Sequence, residues 1–345
     1  MKLMLKIFML VSLISCVENE YQRALSDRLE EIRAFEAYNN TPVVYSDSFR
    51  ISLYAYKNPS YNPYHPYQFL RDTAETEDLL RLLKDQHPFV KTYAFAALHH
   101  RGFDYLLPIL MANLPDTTKF ISYLDDYGYE VTPADVMLEY MDKDLSPLQK
   151  DSISTLILAD FHHLRTLNEI LLFHKPKPDH YKLVKRIAVN GSRGKFALIA
   201  LARYERVEDI PLIQTGFERI DYFEGYKVFF MAIEAFNHPD FKNDLIAYQN
   251  KINKGWDNQG HDYYFNALAK YQDGECKKVI QEFIEVEEYK NETYKLNNLQ
   301  MIRNALKKYY SDEYKTLLKT IESNFTDQKE LEYDNNPFSR NAWNY

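Results

Sequence analysis

His87-Pro88-Phe89-Val90-Lys91-Thr92-Tyr93-Ala94-Phe95-Ala96-Ala97-Leu98 is the stretch on which the fold turns. Its proline suits the first turn of a helix, where a missing N–H has no intrahelical partner to lose. Ala94, Ala97, Leu98 and Arg101 then fall at i, i+3, i+4 and i+7, which is one face of an α-helix. Small side chains in the middle of that face let a neighbouring helix approach closely. Gly102-Phe103-Asp104 makes a turn, and a second apolar run follows at Leu107-Pro108-Ile109-Leu110.

The same face returns along the chain, usually with an aromatic at its end. It reads Ala197-Ala200-Leu201-Tyr204, then Phe229-Ala232-Ile233-Phe236, Tyr264-Ala267-Leu268-Tyr271 and Ile302-Ala305-Leu306-Tyr309. The central alanines stand at 97, 200, 232, 267 and 305, so successive gaps are 103, 32, 35 and 38. The first gap is about three times 34, the length of a two-helix unit in a stacked-repeat protein. Two degenerate units are therefore expected between residues 112 and 185.

The first unit resembles a HEAT repeat. Pro88, Val90-Lys91, the small residues Ala94 and Ala97, and the Gly-x-Asp turn all match that pattern. Ala197, Ala200, Leu201, Pro211 and Leu212 repeat it at an offset of 103, and later units keep only the Ala-Leu core. The resemblance covers roughly residues 75–320 and implies an all-α, right-handed α-solenoid of HEAT-like helical pairs. HEAT families share a scaffold and not an activity, so the likeness carries no reaction with it.

Composition agrees. Nine glycines in 345 residues is scarce against roughly 7% in average usage, which argues against an all-β fold or a dinucleotide-binding sheet. Tyrosine (29) and phenylalanine (21) are abundant beside two tryptophans. A net charge of −8 with no basic tract excludes nucleic acid as an expected partner, since that affinity is mostly phosphate neutralisation. Two cysteines, Cys16 and Cys276, build neither a disulfide framework nor a zinc cluster.

Residues 1–16, MKLMLKIFMLVSLISC, begin with Lys2 and Lys6 and continue in a short apolar core, the pattern of a secretory leader. The core falls short of the roughly 20 residues a spanning helix needs. Leu13-Ile14-Ser15-Cys16 resembles the bacterial lipobox, which implies cleavage before Cys16 and acylation there by palmitate-type chains. Several acyl chains anchor a protein stably without a span, because each buried methylene gains about 0.8 kcal/mol. Val17 after the cysteine resembles lipoproteins sent to the outer membrane of Gram-negative bacteria. The acidic Glu18 and Glu20 loosely resemble the surface-export signal of Bacteroidetes lipoproteins, and the face, periplasmic or outward, stays open.

The chain thus divides into a signal peptide (1–15), a spacer or capping helix with a Tyr/Pro-rich segment (16–73), the solenoid (74–325) and a tail (326–345). Thr132-Pro133-Ala134-Asp135 and Ser146-Pro147-Leu148-Gln149 are capping boxes that start helices. Lys175-Pro176-Lys177-Pro178 marks a loop.

Candidate chemistry is sparse. Tyr61, Tyr64 and Tyr67 lie in a proline-punctuated stretch expected to be extended, where the rings either cap the first repeat or grip a sugar or peptide. His99-His100 and His162-His163, with His174 and His180, read as surface histidines near helix ends, because adjacent helical residues point about 100° apart. Gly191-Ser192-Arg193-Gly194-Lys195 fails as a phosphate loop, with Val189 and Phe196 at positions that need Gly and Ser or Thr. Asp125, Asp126 and Glu130 could pair as the acid and base a glycosidase requires, but carboxylates in a loop of an acidic protein are usually just solvated, and acidic neighbours disfavour a Cys276 thiolate. No cofactor, metal or catalytic residue is expected. The expectation is a lipid-anchored envelope protein that binds a protein or peptide along its repeats, with a carbohydrate-capture protein or a helical glycan hydrolase as the alternative.

Overall fold

A computed structural model describes residues 20–33, 64–124, 127–190, 193–218, 223–249, 261–285 and 292–323. Residues 1–19, with Cys16, lie outside these, as do Tyr61, Asp125, Asp126 and the tail. The described residues are helical apart from one hairpin, and the chain divides into two compact units, one through Leu167 and one from Asn168.

In the first unit, α1 (residues 20–33) is followed by α2 (Tyr64–Asp72), α3 (Thr76–Leu82), α4 (Pro88–His100) and α5 (Leu106–Asn113). The hairpin β1 (Phe120–Leu124) and β2 (Tyr127–Val131) comes next, then α6 (Pro133–Met141) and α7 (Pro147–Ala159). Helix α4 is the hub. Its run from Tyr93 to Leu98 is buried, and α2, α3, α5 and α6 pack on it. Helix α1 buries Leu25, Leu29 and Ile32 and is docked. Its Tyr21 hydroxyl donates to Asp78 Oδ2 at 2.7 Å and accepts the Glu75 N–H at 2.9 Å. The helix is packed against the body of the first unit.

Both expected capping boxes form. Thr132 and Ser146 each accept a backbone N–H three residues on, and Asp135 and Gln149 return the bond. Asp135 does more than cap α6. Its second oxygen accepts from the Thr166 N–H at 2.9 Å and hydroxyl at 2.8 Å, so one buried carboxylate orders two chain segments.

Helix α8 (Thr166–Leu172) crosses the boundary. The second unit holds α9 (Tyr181–Asn190), α10 (Gly194–Ala202), α11 (Ile210–Glu218), α12 (Phe223–Ala235) and α13 (Pro239–Tyr248). It ends with α14 (His261–Tyr271), α15 (Gly274–Ile284), α16 (Glu292–Lys308) and α17 (Lys315–Glu322). Helices α10, α12, α14 and α16 pack each on the next, with Ala200, Ala232, Ala267 and Ala305 buried between them. Rings fill the remaining volume: Phe230 meets Tyr248 at 4.8 Å and Tyr264 at 5.0 Å between centroids, and Phe265 meets Phe283 at 5.1 Å. Full burial of a side chain that size contributes about 1.5–3 kcal/mol, so these clusters carry much of the unit's stability.

Helix ends share a register too. Left-handed residues occur at Gly102 (φ 69°), Glu205 (φ 51°) and Gln272 (φ 52°), each five positions after a patterned alanine. This is the left-handed helix cap that glycine favours, and only the first of the three is glycine.

Three expectations need correction. The Tyr/Pro-rich segment is helical from Tyr64, because Pro66 falls in the first turn of α2 where its missing N–H costs nothing. One of the regions expected to hide a helical unit carries the antiparallel hairpin, with Phe120 opposite Val131 and Tyr123 opposite Gly128. Its β-branched and aromatic residues suit strands, and Glu130 therefore lies in β2 rather than in a loop. Finally, His174 and His180 are buried, not on the surface.

Candidate functional site

Because each patterned alanine fixes the rotation of its helix, equivalent positions can be compared layer by layer. Five residues before it stand Lys195 on α10, Lys227 on α12, Asp262 on α14 and Gln300 on α16. The following position holds Phe196, Val228, Tyr263 and Met301. A polar residue followed by a large one thus recurs on four consecutive stacked helices.

A shallow apolar depression, enclosing only about 10 Å³, lies over the first three of these layers. Leu172, Phe196, Val228 and Met231 give it an apolar floor, with Lys195, Lys227 and Tyr263 around them. Lys195 Nζ sits 5.1 Å from the centroid of the Phe196 ring, a cation–π distance. Lys227 is only 9% exposed, so its stem packs within the layer. Burial pushes the Asp262 carboxyl above its usual range, opposed by the Lys227 charge. Burial, with Asp262 and Glu234 nearby, pushes the Tyr263 phenol up to about 12. On α16, Gln300 Nε2 donates to Asn304 Oδ1 at 2.9 Å, and among the described residues nothing donates to its buried Oε1. The strip offers two cations over an apolar floor, then a carboxyl, then an amide. Among the described residues of this strip, none pairs a nucleophile with a base.

Several of the residues singled out in the sequence have definite partners. Tyr67 is half-buried with its ring 5.9 Å from that of buried Tyr93. The Tyr64 side chain and all of Tyr61 lie outside the described residues. Glu130 pairs with Lys119 at 2.5 Å across the foot of the hairpin. His99 Nε2 meets Asp144 Oδ2 at 2.6 Å, His162 Nε2 meets the Leu158 carbonyl at 2.8 Å, and His163 Nε2 meets that of Asp116 at 3.2 Å. Among the described residues, no group of three or more His, Cys, Asp or Glu is placed to hold a metal ion, and no helix is long and apolar enough to cross a membrane. Cys276 is buried in the first turn of α15, where burial and the Asp273 carboxylate push its thiol up to about 12.

His174 and His180 form the cluster that sequence reasoning missed. Their rings lie 5.4 Å apart, and His174 Nε2 is 2.8 Å from the Tyr204 hydroxyl. That hydroxyl donates to the Lys177 carbonyl at 3.0 Å, fastening the proline loop to the end of α10. Lys195 and Lys227 were also missed, since each is ordinary alone. Only the offset from Ala200 and Ala232 links them, and that signal was available in the sequence.

Compared with known proteins, the chain matches no family model, no curated protein and no solved structure.

Proposed function

We propose that this protein is a lipid-anchored envelope lipoprotein that works as a non-enzymatic scaffold. Its body is a right-handed HEAT-like α-solenoid, and its anchor is Cys16, acylated after removal of residues 1–15. The observation that carries the reading is the shared register of buried alanines on α10, α12, α14 and α16, each helix packed on the next. Stacked pairs of this kind present extended faces, and such faces bind chains better than they enclose small substrates. The recurring left-handed caps at Gly102, Glu205 and Gln272 support the same repeat. The lipobox-like Leu13-Ile14-Ser15-Cys16 supports the anchor, and Val17 supports the outer membrane as its destination.

Two measurements test the proposal. Cells labelled with an alkyne palmitate analogue should carry label on the wild type, in the membrane fraction, and none on Cys16→Ala. An unlabelled wild type recovered free of membranes overturns the anchor. Cross-linking of the acylated protein in intact envelopes should recover a partner protein in stoichiometric amount. Turnover of glycans or peptides by the purified protein overturns the scaffold.

A further inference from the structure

We propose that the surface formed by residues 173–177, the outer face of α9 and the turn at 205–207 docks on the anionic headgroups of the membrane that anchors the protein. The partner is taken from the lipid-anchor reading, and the surface stands on its own geometry. Residues 173–209 hold nine Lys and Arg against four Asp and Glu, while the rest of the chain holds 33 against 46. No run of consecutive bases marks the segment; the fold gathers it. On α9, Lys182, Lys185, Arg186 and Val189 stand at i, i+3, i+4 and i+7, which is one face, and Val184 and Ile187 are buried on the other. Tyr181 opens that helix and joins it to the turn after α10, where the Arg206 guanidinium lies 3.8 Å from its ring centroid. The Tyr181 hydroxyl donates to buried Asp209 at 2.9 Å, and Lys185 Nζ donates to the same carboxylate at 2.6 Å. The Tyr204 ring lies 5.3 Å from that of Tyr181, and its hydroxyl holds both main-chain groups of Lys177. Loop, helix and turn are parts of one surface.

Charge is half of the pattern. Among the described residues, six large apolar side chains are more than half exposed, and three of them, Phe173, Val189 and Val207, fall in this segment. Phe173 precedes the loop, Val189 ends the basic face of α9, and Val207 follows Arg206. Cations that meet phosphates, set among apolar side chains that enter the acyl boundary, make an interfacial membrane surface. A polyanion in water needs the cations alone. Glu208 lies 3.4 Å from Arg206, an exposed contact that a phosphate can displace. Screening confines interactions between exposed charges to about 8 Å at physiological salt, so the face presented, and not the net −8, decides contact with a bilayer. Acyl chains on Cys16 keep the surface at high local concentration over the membrane, where even a weak patch engages.

Vesicle co-sedimentation of the full mature chain carrying Cys16→Ala, which has no acyl chains, tests this. Vesicles of phosphatidylethanolamine and phosphatidylglycerol, about 7:3, should bind it at least about tenfold more tightly than phosphatidylcholine vesicles, and added salt should weaken the binding. The double reversal Lys182→Glu with Arg186→Glu should weaken it by about tenfold or more, and Phe173→Asp by about threefold or more. All three side chains are exposed, so the fold tolerates these changes. Lys307→Glu, an exposed reversal on α16, should leave binding unchanged. Equal binding to the two vesicle types overturns the proposal. So does indifference to the double reversal, or no binding at about 5 mM lipid. Soluble poly-glutamate bound as tightly as the vesicles, and unaffected by Phe173→Asp, identifies an acidic protein partner and also overturns it. None of these results depends on acylation. A negative result therefore leaves the Cys16 anchor standing, and loss of the palmitate label leaves the vesicle result standing.

Discussion

Arg203 donates from its guanidinium to the main-chain oxygen of Leu171 at 3.2 Å, reaching from the end of α10 into the last turn of α8. Two other layers do the same. Arg101, just past α4, donates to the carbonyls of Leu70, Arg71 and Ala74 at the end of α2, at 2.6–2.7 Å. Lys270, in the last turn of α14, donates to those of Glu234 and Ala235 at the end of α12. The last carbonyls of a helix have no intrahelical donor and form the negative end of its dipole. Here a cation from the neighbouring helix supplies the missing donors.

Removing that cation should leave carbonyls covered but unsatisfied. Arg203→Met and Lys270→Met are each expected to lower unfolding free energy by about 1–3 kcal/mol, and Arg101→Met, which loses three bonds, by more. Urea denaturation of the three variants measures this. Stabilities within about 0.5 kcal/mol of wild type, the range of ordinary surface changes, would show that water still reaches these carbonyls.

Glu205 offers a gain. It is exposed, sits at φ 51° and occupies the position that Gly102 fills in the first unit. A left-handed backbone costs a residue with a Cβ about 1–2 kcal/mol, part of which glycine's greater unfolded freedom cancels. Glu205→Gly should therefore raise stability by about 0.5–1 kcal/mol, while Gly102→Ala lowers it by a similar amount. Urea midpoints that move the other way for both would remove the equivalence between the two turns.

What could be read from the sequence was whatever a single helix writes on its own surface. Ala97, Ala200, Ala232, Ala267 and Ala305 declare a face by period alone, and all are buried. Thr132 and Ser146 declare helix starts because a cap is local chemistry. Glu205 and Gln272 hide their caps, since neither is glycine and the turn is imposed by the packed layers around it. Helix α2 was obscured by proline density, because a proline's meaning depends on whether it falls in a first turn or later. The burial of His174 depends on Tyr204, thirty residues away, which no local pattern announces. Lys195 and Lys227 share a register across α10 and α12 that no local pattern announces either.

Asp135 should be the costliest carboxylate to remove. One oxygen accepts the Thr132 N–H at 2.9 Å and hydroxyl at 3.0 Å, and the other accepts both donors of Thr166. Asp135→Ala strands several buried donors and is expected to cost about 3 kcal/mol or more. Asp135→Asn keeps one acceptor oxygen and should fall between that and wild type. Equal losses in the two variants would mean that cavity formation, not hydrogen bonding, sets the cost.

The histidine pair makes the second unit sensitive to acid. Burial lowers the His174 pKa from 6.5 to about 4, helped by the charges of His180 and Arg203, and burial with Lys177 nearby lowers that of His180, against Asp179. A histidine whose folded pKa lies below its unfolded value binds fewer protons when folded, so stability rises with pH across that interval. The contribution is whole above pH 6.5 and is lost as pH falls toward 4. For His174 the loss is on the order of 3 kcal/mol, at about 1.4 kcal/mol per pKa unit. Below that, the buried site must hold an imidazolium beside the Arg203 charge. Urea unfolding between pH 7 and 4 should show this slope, and His174→Gln should flatten most of it while retaining a donor for Tyr204. A variant whose pH profile parallels wild type would place the acid sensitivity elsewhere in the chain.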